Sequence, residues 1–579
     1  MTAALSQGAL AFILLLAGAL TLVLGLVLAR LYRRAVERAM RRPGQPQLQA
    51  ALDPPVGRPP GLELRVDAPG DRDDAGAPPA AAALAAQRRF ARAAMVYTIA
   101  GGAHAAVATA LLFLFGGLEF YPWRTAIVFW AHAWPVVLVL NLFVGPDRRW
   151  QLASGFGYVA GLLLLSLGMA LSGGAVPMAL GTITLPAPSL PLIYWLITAA
   201  PGAFLLVFLN RRIRSIGPLL LVMMLVAVIG AHGAFVAMHL EGVQQAMVSA
   251  ALASGLGIEA VFVGVQLLGF ALFLVPGWLA ATWLRRRYER KRISDQMLVF
   301  DAIWLLMSLL LCSRLAFEQG VLGWAGLLAF AAYLLVVRLG LRPLWRDAAA
   351  QPNARLLLLR VFGAQRRSER LYDLFNARWR FRGSMQMIGG ADLATSTLEP
   401  HEFLDFLSGR LARNFIHGTA DLERRTAELD LRPDPDGRFR VNELFCDDAS
   451  WRPAVGRLMA HSEVVLMDLR GFSTVNRGCV FELQALIDRV PLERLILLID
   501  RATDFSALRH TLLELWPKMS AASPNAEPPR AILRVLVIEG SAAAGIARLL
   551  ARCDRILAVS LAPAPATPAA LATAQPATG

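Results

Sequence analysis

The sequence is poor in cysteine and in charge, and each shortage excludes a class of protein. Four cysteines occur in 579 residues, with no C-x-x-C pair, so neither a disulfide-built domain nor a cysteine zinc site is indicated. Charged residues make up 17% of the chain and hydrophobic residues 56%, and the mean hydropathy is +0.51. That composition is not typical of a water-soluble, disordered or collagenous protein, and it indicates a membrane protein.

The positive charge is concentrated in the apolar half of the chain. The formal net charge is +15; residues 1–350 hold 28 basic against 16 acidic residues, and residues 351–579 hold 29 against 26. A basic total alone would suggest a nucleic-acid binder, but this distribution favours the lipid bilayer as partner and no nucleic acid. Lysine is nearly absent, with 2 lysines among the 57 basic residues, which we interpret as the mark of a GC-rich, Gram-negative-like bacterium.

Nine apolar runs are long enough to cross the membrane, since about 20 residues span the hydrocarbon core. They start near Ala9, Ala93, Thr125, Leu152, Leu190, Ile216, Glu259, Gln296 and Val321. The first run lacks a basic segment in front and is followed by six arginines between residues 30 and 42. A cleaved signal peptide has the opposite charge order, so this run predicts an anchor in a polytopic α-helical membrane bundle.

Basic residues on alternate sides of the runs predict the topology, because lysine and arginine accumulate in cytoplasmic loops. The segments predicted to lie inside hold 23 basic residues: 30–42, 88–92, 148–149, 211–214, 285–292 and 338–346. The loops predicted to lie outside hold two, Arg124 and Arg314. We therefore expect a bacterial inner-membrane protein with its N-terminus outside and its C-terminal domain in the cytoplasm.

Polar residues inside the apolar runs are candidates for function, because placing them in hydrocarbon costs free energy. His104, His132 and His232 fall within three different runs. They are candidates for ligating haem or a metal or for relaying protons; the favoured alternative is that each one hydrogen-bonds a neighbouring backbone group or hydroxyl. For Asp301 we expect pairing with the basic cluster at residues 285–292 rather than a role in transport.

The chain divides into five predicted regions. They are an N-terminal anchor with its basic flank (1–42), a disordered cytoplasmic linker rich in proline, glycine and alanine (43–87), an eight-span bundle (88–350), a cytoplasmic domain (351–562) and a disordered tail (563–579). The linker and the tail lack the apolar residues that a core requires.

The C-terminal region alternates short apolar runs with amphipathic stretches, which is typical of a parallel sheet covered by helices. The predicted strands are 356–362, 385–388, 463–469, 495–499 and 532–538, with a sixth at 555–559. This order predicts a doubly wound α/β domain.

In such sheets ligands bind beyond the carboxyl ends of the strands. The predicted ligand-binding residues at that edge are Gly363, Gly389, Gly390, Asp468, Arg470, Asp500, Gly540 and Ser541. Acids, arginines and glycines suit a nucleotide or another polar ligand, and they equally suit a solvated edge without one. Gly540 and Ser541 open a predicted helix, but the Lys-Ser/Thr of a P-loop is missing, so ATP hydrolysis is not predicted.

The most specific motif is Cys479-Val480-Phe481-Glu482-Leu483, which follows the strand at 463–469. A strand, a loop and a helix that opens with C-x-x-E-L resemble the corresponding part of TIR domains, where the helix reads W-C-x-x-E-L. In enzymatic members the glutamate is the catalytic residue that cleaves NAD at the nicotinamide ribosyl bond. The resemblance therefore implies Glu482 as catalytic residue and NAD as substrate. Departures are Gly478 in place of tryptophan, Asn476 in place of serine, and a first strand without D-x-F-I-S-Y.

Together these observations predict an inner-membrane protein that presents a TIR-like nucleotide-binding or signalling domain to the cytoplasm, as a candidate NAD-cleaving effector that self-associates through this domain. Two alternatives stay open at this stage. One is a transporter or channel with a regulatory cytoplasmic domain, and the other is a membrane scaffold without enzymatic activity.

Overall fold

The computed structural model describes most of the chain and divides it into a helical part and a sheet-containing part. The residues described are 2–560 apart from 41–58, 68–80, 145–147, 172–177, 181–182, 186–189, 200–201, 203–204, 207, 209, 215, 239, 351–352, 361–364, 390–399, 448–449, 474–476, 528–529 and 540–541. The predicted tail at 563–579 and most of the predicted linker at 43–87 thus lie outside the described residues.

The helical part contains twelve described helices and three short strands. In chain order these are α1 (Thr2–Met40), β1 (Gly61–Asp67), α2 (Ala81–Phe115), α3 (Pro122–Ala133), α4 (Pro135–Val144), α5 (Arg148–Leu171), β2 (Met178–Leu180), β3 (Ile183–Leu185), α6 (Leu190–Ala199), α7 (Arg211–Arg214), α8 (Gly217–Ala237), α9 (Glu241–Ser254), α10 (Ile258–Glu289), α11 (Asp295–Gln319) and α12 (Leu327–Ala349).

Eight helical segments within the described residues are long and apolar enough to cross a membrane. They comprise α1, α2, α3 joined to α4, α5, α8, α10, α11, and α12 with the turn before it. The prediction of a polytopic α-helical membrane protein agrees with them. The predicted fifth run is not among the eight, because α6 has only ten residues. Pro201 and Gly202 follow that helix in the sequence, and both residue types disfavour its continuation.

The second part alternates strands and helices along the chain. Its elements are β4 (Ala354–Arg360), α13 (Gln365–Trp379), β5 (Gly383–Ile388), α14 (Pro400–Leu407), β6 (Phe415–Ile416), α15 (Thr419–Ala427), β7 (Val441–Cys446), α16 (Trp451–Ala460), β8 (Val464–Asp468), α17 (Arg477–Arg489), β9 (Leu495–Ile499), α18 (Phe505–Leu515), β10 (Arg530–Val537) and α19 (Ala542–Ser560). The predicted sixth strand at 555–559 is wrong, because these residues belong to α19. Leu549, Leu550, Cys553, Ile556 and Leu557 are buried together at helical spacing.

A parallel sheet of eight strands organises this part, in the order β1-β10-β9-β8-β4-β5-β7-β6. Leu357 and Leu359 of β4 face an apolar cluster that includes α16, α17 and α18. Leu356 and Leu358, which point the opposite way, face a cluster that includes α13 and α19. Apolar side chains therefore cover both faces of the sheet, as expected for parallel strands.

One edge strand comes from the predicted linker, so the prediction of disorder throughout 43–87 is wrong. Gly61–Asp67 pairs in parallel with Arg530–Leu536 of β10. Leu62 and Leu64 pack against the same core cluster as Leu533, and the indole of Trp516 donates a hydrogen bond to the carbonyl oxygen of Pro60 at 2.7 Å. Helix α2 also begins at Ala81, within the predicted linker.

The two parts meet through buried polar contacts at one end of the helices. The guanidinium of Arg380 binds the carboxylate of Asp295 at 2.8 Å, and Arg438 approaches the same carboxylate at 3.3 Å. The hydroxyl of Ser294 donates to the carboxylate of Asp436 at 2.5 Å. Because each pair joins α10–α11 to the sheet-containing part, these contacts fix the position of that part against the helices.

Candidate active site

The candidate site lies at the carboxyl ends of β4 and β8, the two central neighbours of the sheet. The chain continues from β4 to β5 on one side and from β8 to β9 on the other. Connections that diverge in this way leave a crevice at the carboxyl edge of a parallel sheet. Arg360 and Asp468 are in register there, as the last residues of β4 and β8.

Asp468 and Arg470 bind each other across a short turn. Nη2 of Arg470 lies 2.8 Å from Oδ2 of Asp468, its Nε lies 2.8 Å from Oδ1, and its backbone N–H donates to Oδ1 at 3.2 Å. Burial alone lowers the pKa of Arg470, but the hydrogen bonds and ion pair with Asp468, together with nearby Asp500, outweigh burial and raise it. The hydrogen bonds between these two side chains thus hold the turn that follows β8.

Glu482 is a buried carboxyl group on α17, with 2% of its surface exposed. Burial raises its pKa to about 8, and the positive charge of Arg360 acts in the opposite direction. Its Oε2 atom has no hydrogen-bond partner among the described residues. Glu482 is therefore mostly protonated at neutral pH and holds unused hydrogen-bonding capacity, which a ligand can satisfy.

The sequence of α17 accounts for the burial of this carboxyl group. Cys479, Leu483 and Leu486 are buried at spacings of four and three residues and form the core-facing stripe of the helix. Glu482 follows Cys479 by three residues, so helix geometry places it on the same stripe. Burial raises the pKa of the Cys479 thiol to about 12, with Glu482 adding to the effect. A thiol in that state is a poor nucleophile at neutral pH, so Glu482 and not Cys479 is the candidate reactive group of the motif.

Asp500 is close enough to Arg470 to act on it electrostatically, but its hydrogen bonds lie within the turn after β9. Its Oδ1 accepts a hydrogen bond from the backbone N–H of Ala502 at 3.0 Å, and its backbone N–H donates to the hydroxyl of Thr503 at 3.2 Å. These bonds close the turn after β9, a common use of aspartate at that position. Asp500 also contributes to the electrostatic environment of Arg470, so it borders the site.

Close packing explains why position 389 is a glycine. It lies on the far side of β4, at the end of β5, and a Cβ added there would lie 2.8 Å from the ring of Phe445. The remaining predicted residues, Gly363, Gly390, Gly540 and Ser541, lie outside the described residues. Of the predicted set, Asp468, Arg470 and Asp500 thus lie together at one edge, and Glu482 is linked to this edge through Arg360, which is in register with Asp468.

Arg360 is a residue of the site that the sequence analysis does not predict. Only 4% of its surface is exposed, and its positive charge acts on Glu482. The available signal was an arginine that directly follows four consecutive leucines. A charged residue at the end of a buried strand is common, so this signal is weak without the pairing of β4 with β8.

His104, His132 and His232 have different contacts among the described residues, although His132 acts electrostatically on His104. Nε2 of His104 lies 2.8 Å from the hydroxyl of Ser308, and Nδ1 of His132 lies 2.8 Å from the carbonyl oxygen of Val128. His232 stacks on Phe235 at 6.1 Å between ring centroids. Within the described residues no group of three potential metal ligands occurs. The favoured interpretation, hydrogen bonds to a hydroxyl and to the backbone, therefore describes His104 and His132.

Asp301 accepts a hydrogen bond from the hydroxyl of Tyr333 at 3.2 Å. Of the expected partners at 285–292, Arg287 acts on Asp301 electrostatically, and so does Arg338. No ion pair of Asp301 within 4.0 Å occurs among the described residues. The expected pairing is thus a longer-range attraction rather than a direct contact.

Comparisons with known proteins add no assignment. The chain matches no protein-family model, and it matches none of the curated proteins or solved structures with which it was compared. The resemblance to TIR domains therefore stays a prediction from the motif around Glu482.

Proposed function

We propose that the C-terminal part is a doubly wound, TIR-like domain that binds NAD at the crevice between β4 and β8 and cleaves its nicotinamide ribosyl bond. The observation that supports this most directly is Glu482, a buried carboxyl group with an unpartnered oxygen. It stands at the position where enzymatic TIR domains have their catalytic glutamate. The strand order β5-β4-β8-β9-β10, with Glu482 on the helix that follows β8, also supports this proposal, because α/β sheets bind ligands where the strand order reverses.

At Glu482 burial favours the protonated carboxyl group, whereas nearby positive charge favours the carboxylate, and the proposed chemistry uses this balance. A cationic nicotinamide ring near the carboxyl group favours its ionised form, as Arg360 already does. The carboxylate then stabilises the positive charge that develops on the ribose as the bond to nicotinamide breaks. The bonding electrons leave with nicotinamide, water adds to the ribose carbon and loses a proton, and the products are nicotinamide, ADP-ribose and H⁺.

The test is NAD consumption by the purified full-length protein in detergent, with the Glu482→Gln variant beside it. Removing one charge-stabilising group costs about 10²- to 10³-fold in kcat, so the variant should retain little activity. Glu493→Gln is the control, because Glu493 is an exposed carboxylate just before β9, at the opposite edge of the sheet. Absence of turnover by the wild-type protein, even at concentrations that favour self-association, would exclude the enzymatic function.

We further propose a ninth crossing between α6 and α7, which restores the predicted topology with the N-terminus outside and the domain in the cytoplasm. The hydroxyl of Tyr194 on α6 accepts a hydrogen bond from Arg314 at 2.9 Å, whereas Arg214 on α7 acts electrostatically on Asp295. Asp295 and Arg314 lie about 28 Å apart along α11, at 1.5 Å per residue. That distance supports a chain that crosses the hydrocarbon between Tyr194 and Arg214.

The basic helix ends support the proposed cytoplasmic and inner-membrane location. Arg285 at the end of α10 binds Asp405 of α14 at 3.1 Å, and Tyr32 of α1 packs edge-on against Phe406 at 5.4 Å. Helix ends predicted to lie inside are thus next to the sheet-containing part. Self-association through the cytoplasmic domain stays a prediction.

A second candidate function is regulation of a transporting bundle by the cytoplasmic domain. It is favoured by Arg440, whose guanidinium lies 3.7 Å from the ring centroid of Tyr288 and donates to the backbone oxygen of that residue at 2.7 Å. The same guanidinium binds Asp434 at 2.9 Å. Such a contact couples α10 to the domain. In proteoliposomes, Arg440→Met should then alter ion or solute flux, and unchanged flux in every gradient tested would exclude this function.

A further inference from the structure

A cavity of about 780 Å³ lies between the domain-side ends of α10, α11 and α12 and the loop at residues 431–439. Its walls come from both parts of the protein. Cationic side chains dominate its polar surface, and they are Arg287, Arg290, Arg292, Arg338, Arg342 and Arg432, with Lys291 beside them. Two carboxylates, Glu289 and Asp301, also line it.

Several of these charges are already neutralised. Lys291 binds Asp430 at 2.6 Å and Asp434 at 3.2 Å, and Glu289 binds Arg285 at 2.6 Å. Asp301 accepts a hydrogen bond from Tyr333 and attracts Arg287 and Arg338 over a longer distance, so it offsets one positive charge. The cavity thus keeps an excess of positive charge.

Arg338 and Arg342 contribute most directly to that excess. They lie one turn apart on α12 and are both exposed, and they form no ion pair with a carboxylate among the described residues. Two guanidinium groups at this spacing can bind the oxygens of one phosphate group, because guanidinium geometry suits phosphate.

Part of the cavity wall beside these arginines is apolar. Leu334, Val337, Leu341 and Trp345 form one stripe at spacings of three and four residues on α12, the helix that also carries the two arginines. Val337 and Leu341 are buried in the core, so the accessible part of the stripe is the partly exposed Leu334 and the exposed Trp345. Met297 of α11 faces the same space. This stripe continues along a helix that is long and apolar enough to cross a membrane. A ligand for the cavity must therefore combine an anionic group with a long apolar chain.

We propose that this cavity binds one anionic phospholipid, with its phosphate held by Arg338 and Arg342 and an acyl chain against the accessible side chains of Leu334 and Trp345. Basic pockets at the cytoplasmic ends of membrane helices suit anionic headgroups. A free phosphate or a soluble nucleotide would leave the accessible surface of Leu334 and Trp345 uncovered. Because Arg432 belongs to the loop of the sheet-containing part, the lipid contacts both parts and stabilises their contact.

The test measures thermal unfolding of the full-length protein in a neutral detergent. Phosphatidylglycerol should raise the Tm in a saturable manner, whereas phosphatidylcholine and inorganic phosphate at the same concentrations should not. The double variant Arg338→Gln/Arg342→Gln should bind phosphatidylglycerol at least about tenfold more weakly, since it loses two charge-assisted contacts. Arg34→Gln/Arg38→Gln is the matched control, because these exposed arginines have the same spacing on α1 and do not line the cavity.

Three outcomes would overturn the proposal. Equal stabilisation by the zwitterionic lipid would show a general detergent effect, equal stabilisation by inorganic phosphate would show a site for soluble anions, and equal weakening in both double variants would show only surface potential. A second measurement uses the wild-type protein, so it does not require that any variant folds. A photoreactive phosphatidylglycerol in bicelles should crosslink to α12 and to residues 431–439, and crosslinks confined to other segments would also contradict the proposed site.

Discussion

Ser294 and Asp436 form a buried hydrogen bond of 2.5 Å that joins the first residue before α11 to the loop between α15 and β7. The same Ser294 hydroxyl accepts a hydrogen bond from the backbone N–H of Met297 at 3.1 Å and so caps α11. Burial raises the pKa of Asp436, against the effect of Arg438. One hydroxyl therefore begins a membrane-length helix and at the same time binds the sheet-containing part.

Replacing Ser294 by alanine should lower the stability of the contact between the two parts. The change removes a helix cap, which is worth about 1 kcal/mol, and leaves a buried carboxyl oxygen unpaired, which costs about 1–3 kcal/mol. The expected result is a lower Tm and faster proteolysis in the loop at residues 431–439. Ser249→Ala is the control, because that hydroxyl is exposed and donates to the carbonyl oxygen of Gln245 in its own helix. A Ser294→Ala protein as stable as this control would contradict the assigned role.

The pKa of Glu482 predicts a specific dependence of stability on pH. The folded state holds a proton up to about pH 8, whereas the unfolded state releases it near pH 4.5. Its contribution is therefore fully present below about pH 4.5 and is lost as the pH rises toward 8. Each unit in this window corresponds to about 1.4 kcal/mol. Tm measured across this range should fall less steeply in Glu482→Gln than in the wild-type protein, and parallel curves would show that Glu482 does not titrate as inferred.

Replacing Arg360 by methionine should shift the same titration upward. Arg360 favours the ionised form of Glu482, so its removal leaves burial unopposed and the carboxyl group holds its proton to higher pH. Arg355→Met is the matched control, because Arg355 lies on the same strand at its amino end and binds Glu463 at 2.5 Å. The measurement is the pH dependence of Tm in both variants. An equal shift in the two would show a general charge effect rather than an interaction between Arg360 and Glu482.

The parallel sheet was predictable because its central strands are nearly continuous apolar runs, as in the four leucines before Arg360. β1 was not predictable in the same way. Its seven residues mix Leu62 and Leu64 with charged residues between proline- and glycine-rich stretches, and only pairing with β10 makes this a strand. The error at 555–559 has the opposite origin, because a short apolar run in α19 has no periodicity that separates helix from strand.

Positions in the sequence were enough to predict which residues of the site lie at the edge of the sheet, but not which of them contact each other. Asp468 and Arg470 were expected at that edge, yet their mutual ion pair depends on the turn that Gly471 forms with a positive φ of 78°. Arg360 and Glu482 are 122 positions apart, so their interaction depends on β4 and β8 being neighbours. The polar contacts at Ser294 and Asp295 were likewise not predictable, because they depend on how the helices meet the sheet-containing part.

Because β1 is an edge strand of the sheet, we predict that a C-terminal fragment beginning at residue 351 lacks part of its domain. Without Gly61–Asp67, the backbone of β10 becomes an open edge, Leu533 loses its neighbour Leu64, and the indole of Trp516 loses the oxygen of Pro60. An exposed, apolar edge strand pairs readily with other chains. We expect the fragment 351–560 to aggregate, and the same fragment with residues 59–67 attached through a flexible linker to be monodisperse in size-exclusion chromatography. A control fusion with Leu62→Asp and Leu64→Asp should behave like the bare fragment, because the charged side chains cannot pack against the core. If all three proteins are equally soluble and equally stable to urea, the contribution of β1 to this domain is negligible.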